Sequence, residues 1–113
     1  MNENNLELDY EESLKYAKEN NKKIIWLGME PLDYIIDLLN YDEKDNFGEI
    51  FISISPQEIL NMDKNSIKEL ENNIFLCYHG NTSKFVSNYL KKYHSIDTYS
   101  LQGGITRVIG REL

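Results

Sequence analysis

Short apolar stretches alternate with longer amphipathic segments along this chain. The stretch at 24–27 is continuously apolar, which is typical of a strand buried on both faces of a parallel sheet. Leu6 and Leu8 instead alternate with polar residues, as in an edge strand. On these grounds five segments are predicted as strands: 6–8, 24–27, 50–54, 74–76 and 98–101.

Apolar residues recur at helical spacing in the segments between these strands. Residues 10–20 and 32–39 each place their apolar side chains on one helix face, and Pro31 suits the first helical position of the second segment. Two Ser-x-x-Glu sequences have the form of a capping box and predict that helices begin after Ser55 and after Ser66. The remaining predictions are a polar loop at 40–48, an amphipathic helix after residue 83 and a short helix after Gly103-Gly104.

This order of elements predicts one α/β domain. Strands that alternate with helices form a mostly parallel sheet of five strands, with helices on both of its faces. The 113 residues, 41% of them hydrophobic, suffice for one core but not for two. No linker or repeat divides the chain, so the domain is predicted to span residues 1–113.

The charge of the chain narrows the classes of partner. A net charge of -7 and a pI near 4.8 argue against nucleic acid or an anionic membrane as the main partner, since both attract basic surfaces. No apolar run approaches the length of about 20 residues that spans a bilayer, and the first residues lack the pattern of a signal peptide. We therefore expect a cytoplasmic protein.

Candidate chemistry lies in the Cys77 loop, residues 77–83, which reads Cys-Tyr-His-Gly-Asn-Thr-Ser. It follows a predicted strand and leads into a predicted helix, whose first turn has unpaired N–H groups that attract anions. Gly80 permits a tight turn, and Thr82 or Ser83 is predicted to cap the helix. A thiolate at Cys77 would be stabilised there. From position alone, the only cysteine of the chain could also be a buried apolar residue or an intermolecular link.

Other side chains near this loop have weaker functional interpretations. His79 is expected to point outward, because the amides of such a loop point inward, so a role in proton transfer is not favoured. Lys84 and Arg107 are interpreted as ordinary surface charges. No group of His and Cys residues has the spacing of metal ligands, and we expect neither a metal ion nor a cofactor.

The Cys77 loop, together with Lys84, resembles the active-site loop of rhodanese-type sulfurtransferases, most closely the single-domain GlpE type. The segment 100–105, with its Gly-Gly pair, is similar to the strand and double glycine that close the rhodanese domain. A weaker similarity covers 24–34. There Leu27 and Met29 stand where the family usually has an aspartate and an arginine, and at 46–50 a further family segment is barely visible.

This resemblance implies that a sulfane sulfur is transferred from thiosulfate, or another donor, to a thiophilic acceptor such as cyanide or a thiol. A persulfide on Cys77 would carry the sulfur. The backbone amides of Tyr78, His79, Gly80, Asn81, Thr82 and Ser83 would form the substrate-binding cradle. The alternative is a relay or sensing module of the same fold, which carries persulfide sulfur between protein partners.

Phosphatase chemistry is a poor interpretation of the same loop. Cysteine-dependent phosphatases of related fold place an arginine six residues after the cysteine, where its planar fork binds two phosphoryl oxygens. Ser83 occupies that position here. The loop therefore favours sulfur over phosphate.

Overall fold

The short apolar stretches form five strands of two or three residues, and every neighbouring pair in their sheet is parallel. The computed structural model describes residues 6–42 and 49–113. The predicted five-stranded α/β fold is confirmed, and the sheet is wholly parallel. Across the sheet the strands are β1 (Glu7–Leu8), β5 (Tyr99–Leu101), β4 (Ile74–Leu76), β2 (Ile24–Trp26) and β3 (Phe51–Ser53).

Successive side chains of a strand point to opposite faces of the sheet, so each face presents apolar side chains, and helices cover both faces. Ile24 and Trp26 pack in one apolar cluster, whereas Ile25 packs in the other. None of the helices in the described ranges is long and apolar enough to cross a membrane. The first cluster lies under α1 (Tyr10–Asn20), α2 (Leu32–Leu39) and α6 (Gly104–Ile109), and the second under α3 (Pro56–Leu60), α4 (Lys64–Lys68) and α5 (Asn81–His94).

Three of the predicted helix starts need correction, and one of them is α5, which is predicted after residue 83 but begins at Asn81. The capping box at Ser55 is confirmed, since its side chain accepts the N–H of Glu58 and the Glu58 side chain accepts the N–H of Ser55. The start after Ser66 is wrong, because α4 begins at Lys64 and the Asp63 carboxylate accepts the Ser66 N–H at 2.8 Å.

In the second helix Pro31 is the N-cap rather than the first helical residue. Its ψ of 143° is extended, so α2 begins one residue later, at Leu32. The loop predicted at 40–48 starts as expected, since Asn40 ends α2 in the left-handed conformation with φ 57°. Residues 43–48 of that prediction, and with them most of the similarity at 46–50, lie outside the described residues.

Strand alternation decides where the cysteine lies. Cys77 follows β4 directly and is two residues after Phe75, so both side chains face the cluster under α5. On the neighbouring strand, Ser100 is in register with Phe75 and therefore faces the same side. The sheet thus places Ser100 beneath the start of α5 and beside the carboxyl end of β4. Ligands bind at the carboxyl ends of the strands in parallel α/β folds.

Candidate active site

The Cys77 sulfur lies against the N-terminus of α5. After β4 the chain turns through Gly80, which has a φ of 96°, and α5 begins at Asn81. Cys77 Sγ accepts the backbone N–H of Gly80 at 3.2 Å and of Ser83 at 3.3 Å. With 2% of its surface exposed, Cys77 is nearly buried. Two N–H groups therefore converge on one sulfur atom at the positive end of a helix.

Neither predicted side-chain cap exists at this helix start. The N-cap is Gly80, which has no side chain, so the prediction that Thr82 or Ser83 caps α5 is wrong. A glycine takes this position because the left-handed backbone there strains any residue with a Cβ. The unpaired amides remain available to Cys77 Sγ instead of being satisfied by a capping hydroxyl.

The Ser83 hydroxyl lines the inner side of the loop. Its Oγ lies 3.5 Å from Cys77 Sγ, 3.1 Å from the carbonyl oxygen of Gly80 and 2.5 Å from Ser100 Oγ. Both serines are buried. Buried hydroxyl groups are costly unless they are hydrogen-bonded, so these contacts hold the Ser83 side chain in place beside the sulfur.

The Gly103-Gly104 pair brings the start of α6 against the outer side of the loop. Ile105 N–H donates to the carbonyl oxygen of Cys77 at 2.9 Å, and Thr106 N–H to that of Tyr78 at 3.1 Å. A Cβ on Gly104 would lie 2.4 Å from the Tyr78 carbonyl oxygen, a distance that real contacts do not allow. The close backbone approach thus requires glycine, and it fixes the first two residues of the loop.

The Tyr78 side chain ties the loop to the segment between β2 and α2. Its hydroxyl donates to Glu30 Oε1 at 2.6 Å and accepts the N–H of Met29 at 2.9 Å. The Tyr78 ring meets the Trp26 ring edge-on, with centroids 5.2 Å apart. Burial, and then the hydrogen bond to Glu30, raises the pKa of Tyr78 above its ordinary value. The phenol therefore stays protonated and keeps donating to Glu30.

The remaining loop residues lie on the surface. Asn81 and Thr82 are exposed in the first turn of α5. The His79 side chain is 52% exposed, as expected for a residue that points outward, and its Nε2 lies 2.8 Å from Glu112 Oε1. Lys84 forms an ion pair with Glu7 at 3.1 Å.

The two positions that depart from the rhodanese pattern have opposite environments. Leu27 is buried in the cluster that also contains Cys77, so an apolar side chain suits it. Met29 is 94% exposed, although its N–H is held by Tyr78. Neither side chain supports the loop through a polar contact, and the segment between β2 and α2 is joined to the loop by the hydrogen bonds of the Tyr78 hydroxyl with Glu30 and the Met29 N–H.

This arrangement can stabilise negative charge on sulfur with neutral donors. In the part of the chain that the structure describes, no Lys, Arg or His side chain hydrogen-bonds Cys77 Sγ. Nor do residues 6–42 and 49–113 contain three or more His, Cys, Asp or Glu side chains placed to hold a metal ion. The chemistry that fits is nucleophilic attack by a thiolate held by backbone amides.

Two contributors, Ser100 and the pair Tyr78–Glu30, do not follow from the motif. A signal for Ser100 exists in the sequence, because Ser83 and Ser87 lie four residues apart on a helix and Thr98 and Ser100 two apart on a strand. Each spacing places two hydroxyls on one face.

Comparison with protein-family models, curated proteins and solved structures found no match.

Proposed function

We propose that this chain is a rhodanese-type thiosulfate sulfurtransferase in which Cys77 carries the sulfur. The observation that carries the proposal is the convergence of the Gly80 and Ser83 N–H groups on Cys77 Sγ, at 3.2 and 3.3 Å. Preorganised N–H groups stabilise an anion without rearranging during the reaction. The five-stranded parallel fold and the resemblance of the Cys77 loop to rhodanese loops support the same proposal.

The proposed reaction has two steps. In the first, the Cys77 thiolate attacks the outer sulfur of thiosulfate, the sulfur–sulfur bond of thiosulfate breaks, and sulfite leaves with the electron pair. In the second, cyanide or a thiol attacks the outer sulfur of the persulfide and returns Cys77 to the thiolate. Because Cys77 is 2% exposed, the proposed reaction requires the donor to bring its sulfur to a nearly buried atom.

The acceptor in this scheme comes from outside the chain. Cys77 is the only cysteine in the sequence, so a persulfide on it has no internal thiol to attack it. A free reactive thiol also requires a reducing compartment, and on that ground we propose a cytoplasmic location.

A relay module that carries persulfide sulfur between proteins is the second candidate function. Met29 favours it, since this apolar side chain is 94% exposed while its backbone N–H contacts the Tyr78 hydroxyl of the loop. An exposed methionine whose backbone contacts a residue of the Cys77 loop suits a protein partner, because its flexible side chain adapts to irregular surfaces.

Thiocyanate formation from thiosulfate and cyanide separates the two candidates. A catalyst turns over many times with these small molecules, and Cys77→Ser abolishes turnover. A relay module forms little thiocyanate but accepts sulfur from a persulfide-bearing donor protein, and Met29→Glu slows that loading. Loading of neither kind would contradict both functions. Thiocyanate formation by Cys77→Ser at the wild-type rate would show that another group carries the reaction.

A further inference from the structure

Two pairs of buried hydroxyl groups connect α5 to β5 and to Thr98, the residue just before β5. Ser100 Oγ lies 2.5 Å from Ser83 Oγ, and Thr98 Oγ1 donates to Ser87 Oγ at 2.9 Å. All four residues are buried. Only the first pair reaches the cysteine, through the 3.5 Å contact between Ser83 Oγ and Cys77 Sγ. The two pairs are otherwise alike. Ser83 and Ser87 lie one turn apart on α5, and Thr98 and Ser100 lie two residues apart in the chain.

The hydroxyl protons of the first pair can rearrange when Cys77 changes from a thiol to a thiolate. Ser83 donates its only hydroxyl proton to the Gly80 carbonyl oxygen, so Ser100 is the donor in the contact between the two serine hydroxyls. With Cys77 as a thiol, the S–H group also donates to Ser83 Oγ, and Ser83 donates its own proton to the Gly80 carbonyl oxygen. Every hydroxyl proton then has an acceptor.

Loss of the thiol proton to water or a buffer base reverses one of these bonds. The thiolate has no proton to donate, so Ser83 can turn its O–H from the Gly80 carbonyl oxygen to Cys77 Sγ. That carbonyl oxygen still accepts the Lys84 N–H at 3.3 Å. Ser100 continues to donate to Ser83 Oγ, which keeps the oxygen satisfied and polarises its O–H toward the sulfur.

We propose that Ser100 is a positioning residue, which holds and polarises the Ser83 hydroxyl so that it becomes the third donor to the Cys77 thiolate. The inference rests on the proposed function only for its consequence, a more stable nucleophile for sulfur transfer. Ser100 itself forms no hydrogen bond with Cys77 Sγ. It acts from the neighbouring strand, where its register with Phe75 places it beneath the loop.

The test is a pH titration of the ultraviolet absorbance of the thiolate. The same titration of Cys77→Ser is subtracted to remove the signal of the tyrosines. A hydrogen bond to a charged group changes a titration midpoint by about 1 to 2 pH units, so Ser83→Ala should raise the midpoint by that amount. Ser100→Ala should raise it by roughly half as much, because it weakens the Ser83 bond without removing it.

Ser87→Ala is the matched control, since it removes a buried hydroxyl from the pair that does not reach Cys77. Its midpoint should equal that of the wild type, and Ser100→Thr, which keeps a hydroxyl, should restore the wild-type value. An unchanged midpoint in Ser100→Ala, or an equal rise in Ser87→Ala, would overturn the assignment of Ser100. Sulfur loading from thiosulfate is measured separately on the wild type. Its absence there would refute the sulfurtransferase proposal while leaving the titration result valid.

Discussion

Replacing Gly104 by alanine tests whether the turn before α6 holds the Cys77 loop in place. The new Cβ would lie 2.4 Å from the Tyr78 carbonyl oxygen, 2.5 Å from the Tyr78 carbonyl carbon and 2.7 Å from the Cys77 carbonyl oxygen. All three are backbone atoms, which cannot swing aside as the end of a long side chain would. The start of α6 and the loop must therefore separate.

The size of the effect follows from two terms. Gly104 has a φ of 69°, and a left-handed backbone costs an alanine about 1 to 2 kcal/mol. Separation also weakens the bonds from Ile105 N–H and from the Thr106 N–H and hydroxyl to the loop carbonyls, each of which contributes about 1 kcal/mol. If all three bonds are lost, the sum is about 4 to 5 kcal/mol of lost stability.

Gly110→Ala is the matched control for this substitution. Gly110 has a similar φ of 78°, but a Cβ there would meet no atom within 4 Å, so only the backbone term applies. In thermal unfolding at one pH, we expect Gly104→Ala to melt about 10 °C below Gly110→Ala. Equal melting temperatures would show that α6 does not press on the loop and would refute the reasoning.

Three further predictions concern single side chains. Tyr78→Phe leaves Glu30 and the Met29 N–H without their partner, so it should lower the free energy of unfolding in urea by about 1 to 3 kcal/mol. Tyr93→Phe, at an exposed tyrosine, should change it by nearly nothing. Equal effects would contradict the claim that Tyr78 ties the loop to the segment between β2 and α2. Gly80→Ala strains a backbone with φ 96°, but the new Cβ meets no atom closer than 3.4 Å, so the fold should be retained. Sulfur loading of Cys77 should nevertheless fall at least tenfold, because the strained turn no longer aims its amides at the sulfur. Normal loading would contradict the amide cradle. Burial, and then Tyr41, raises the pKa of Tyr10 to about 12. The folded state therefore holds this proton more tightly than the unfolded chain, whose value is near 10, and stability should fall as pH rises from about 10 to 12, but less steeply in Tyr10→Phe.

Local patterns in the sequence predict most of the fold because their causes are local. The capping box at Ser55 consists of residues three positions apart, and the continuous apolar run at Ile24 needs only the two-sided burial of a central strand. The error at Ser66 has the same origin. Asp63 and Ser66 are both good N-caps within one turn, so local preference does not choose between them; in the fold Asp63 is the N-cap and Ile67 is buried in the core.

The site is predictable only in part, since its supports come from distant positions. The Cys77 loop and the double glycine are visible as motifs, but Tyr78 and Glu30 are 48 residues apart, and nothing local pairs them. The spacing of Ser100 from Thr98 places both hydroxyls on one face of the predicted strand, but only the register with Phe75 in the folded sheet places Ser100 under α5. The helix start is a further case, because the loop uses its unpaired amides for sulfur where sequence preference predicts a capping hydroxyl.

Intact-mass analysis after incubation with thiosulfate tests the central claim most directly, namely that Cys77 accepts sulfur in a cradle of backbone amides. Desalted wild-type protein should gain the mass of one sulfur atom, and cyanide should remove it and yield thiocyanate. Cys77→Ser should gain nothing under the same conditions. A wild-type chain that stays at its original mass, or a Cys77→Ser chain that gains the same mass, would contradict the account.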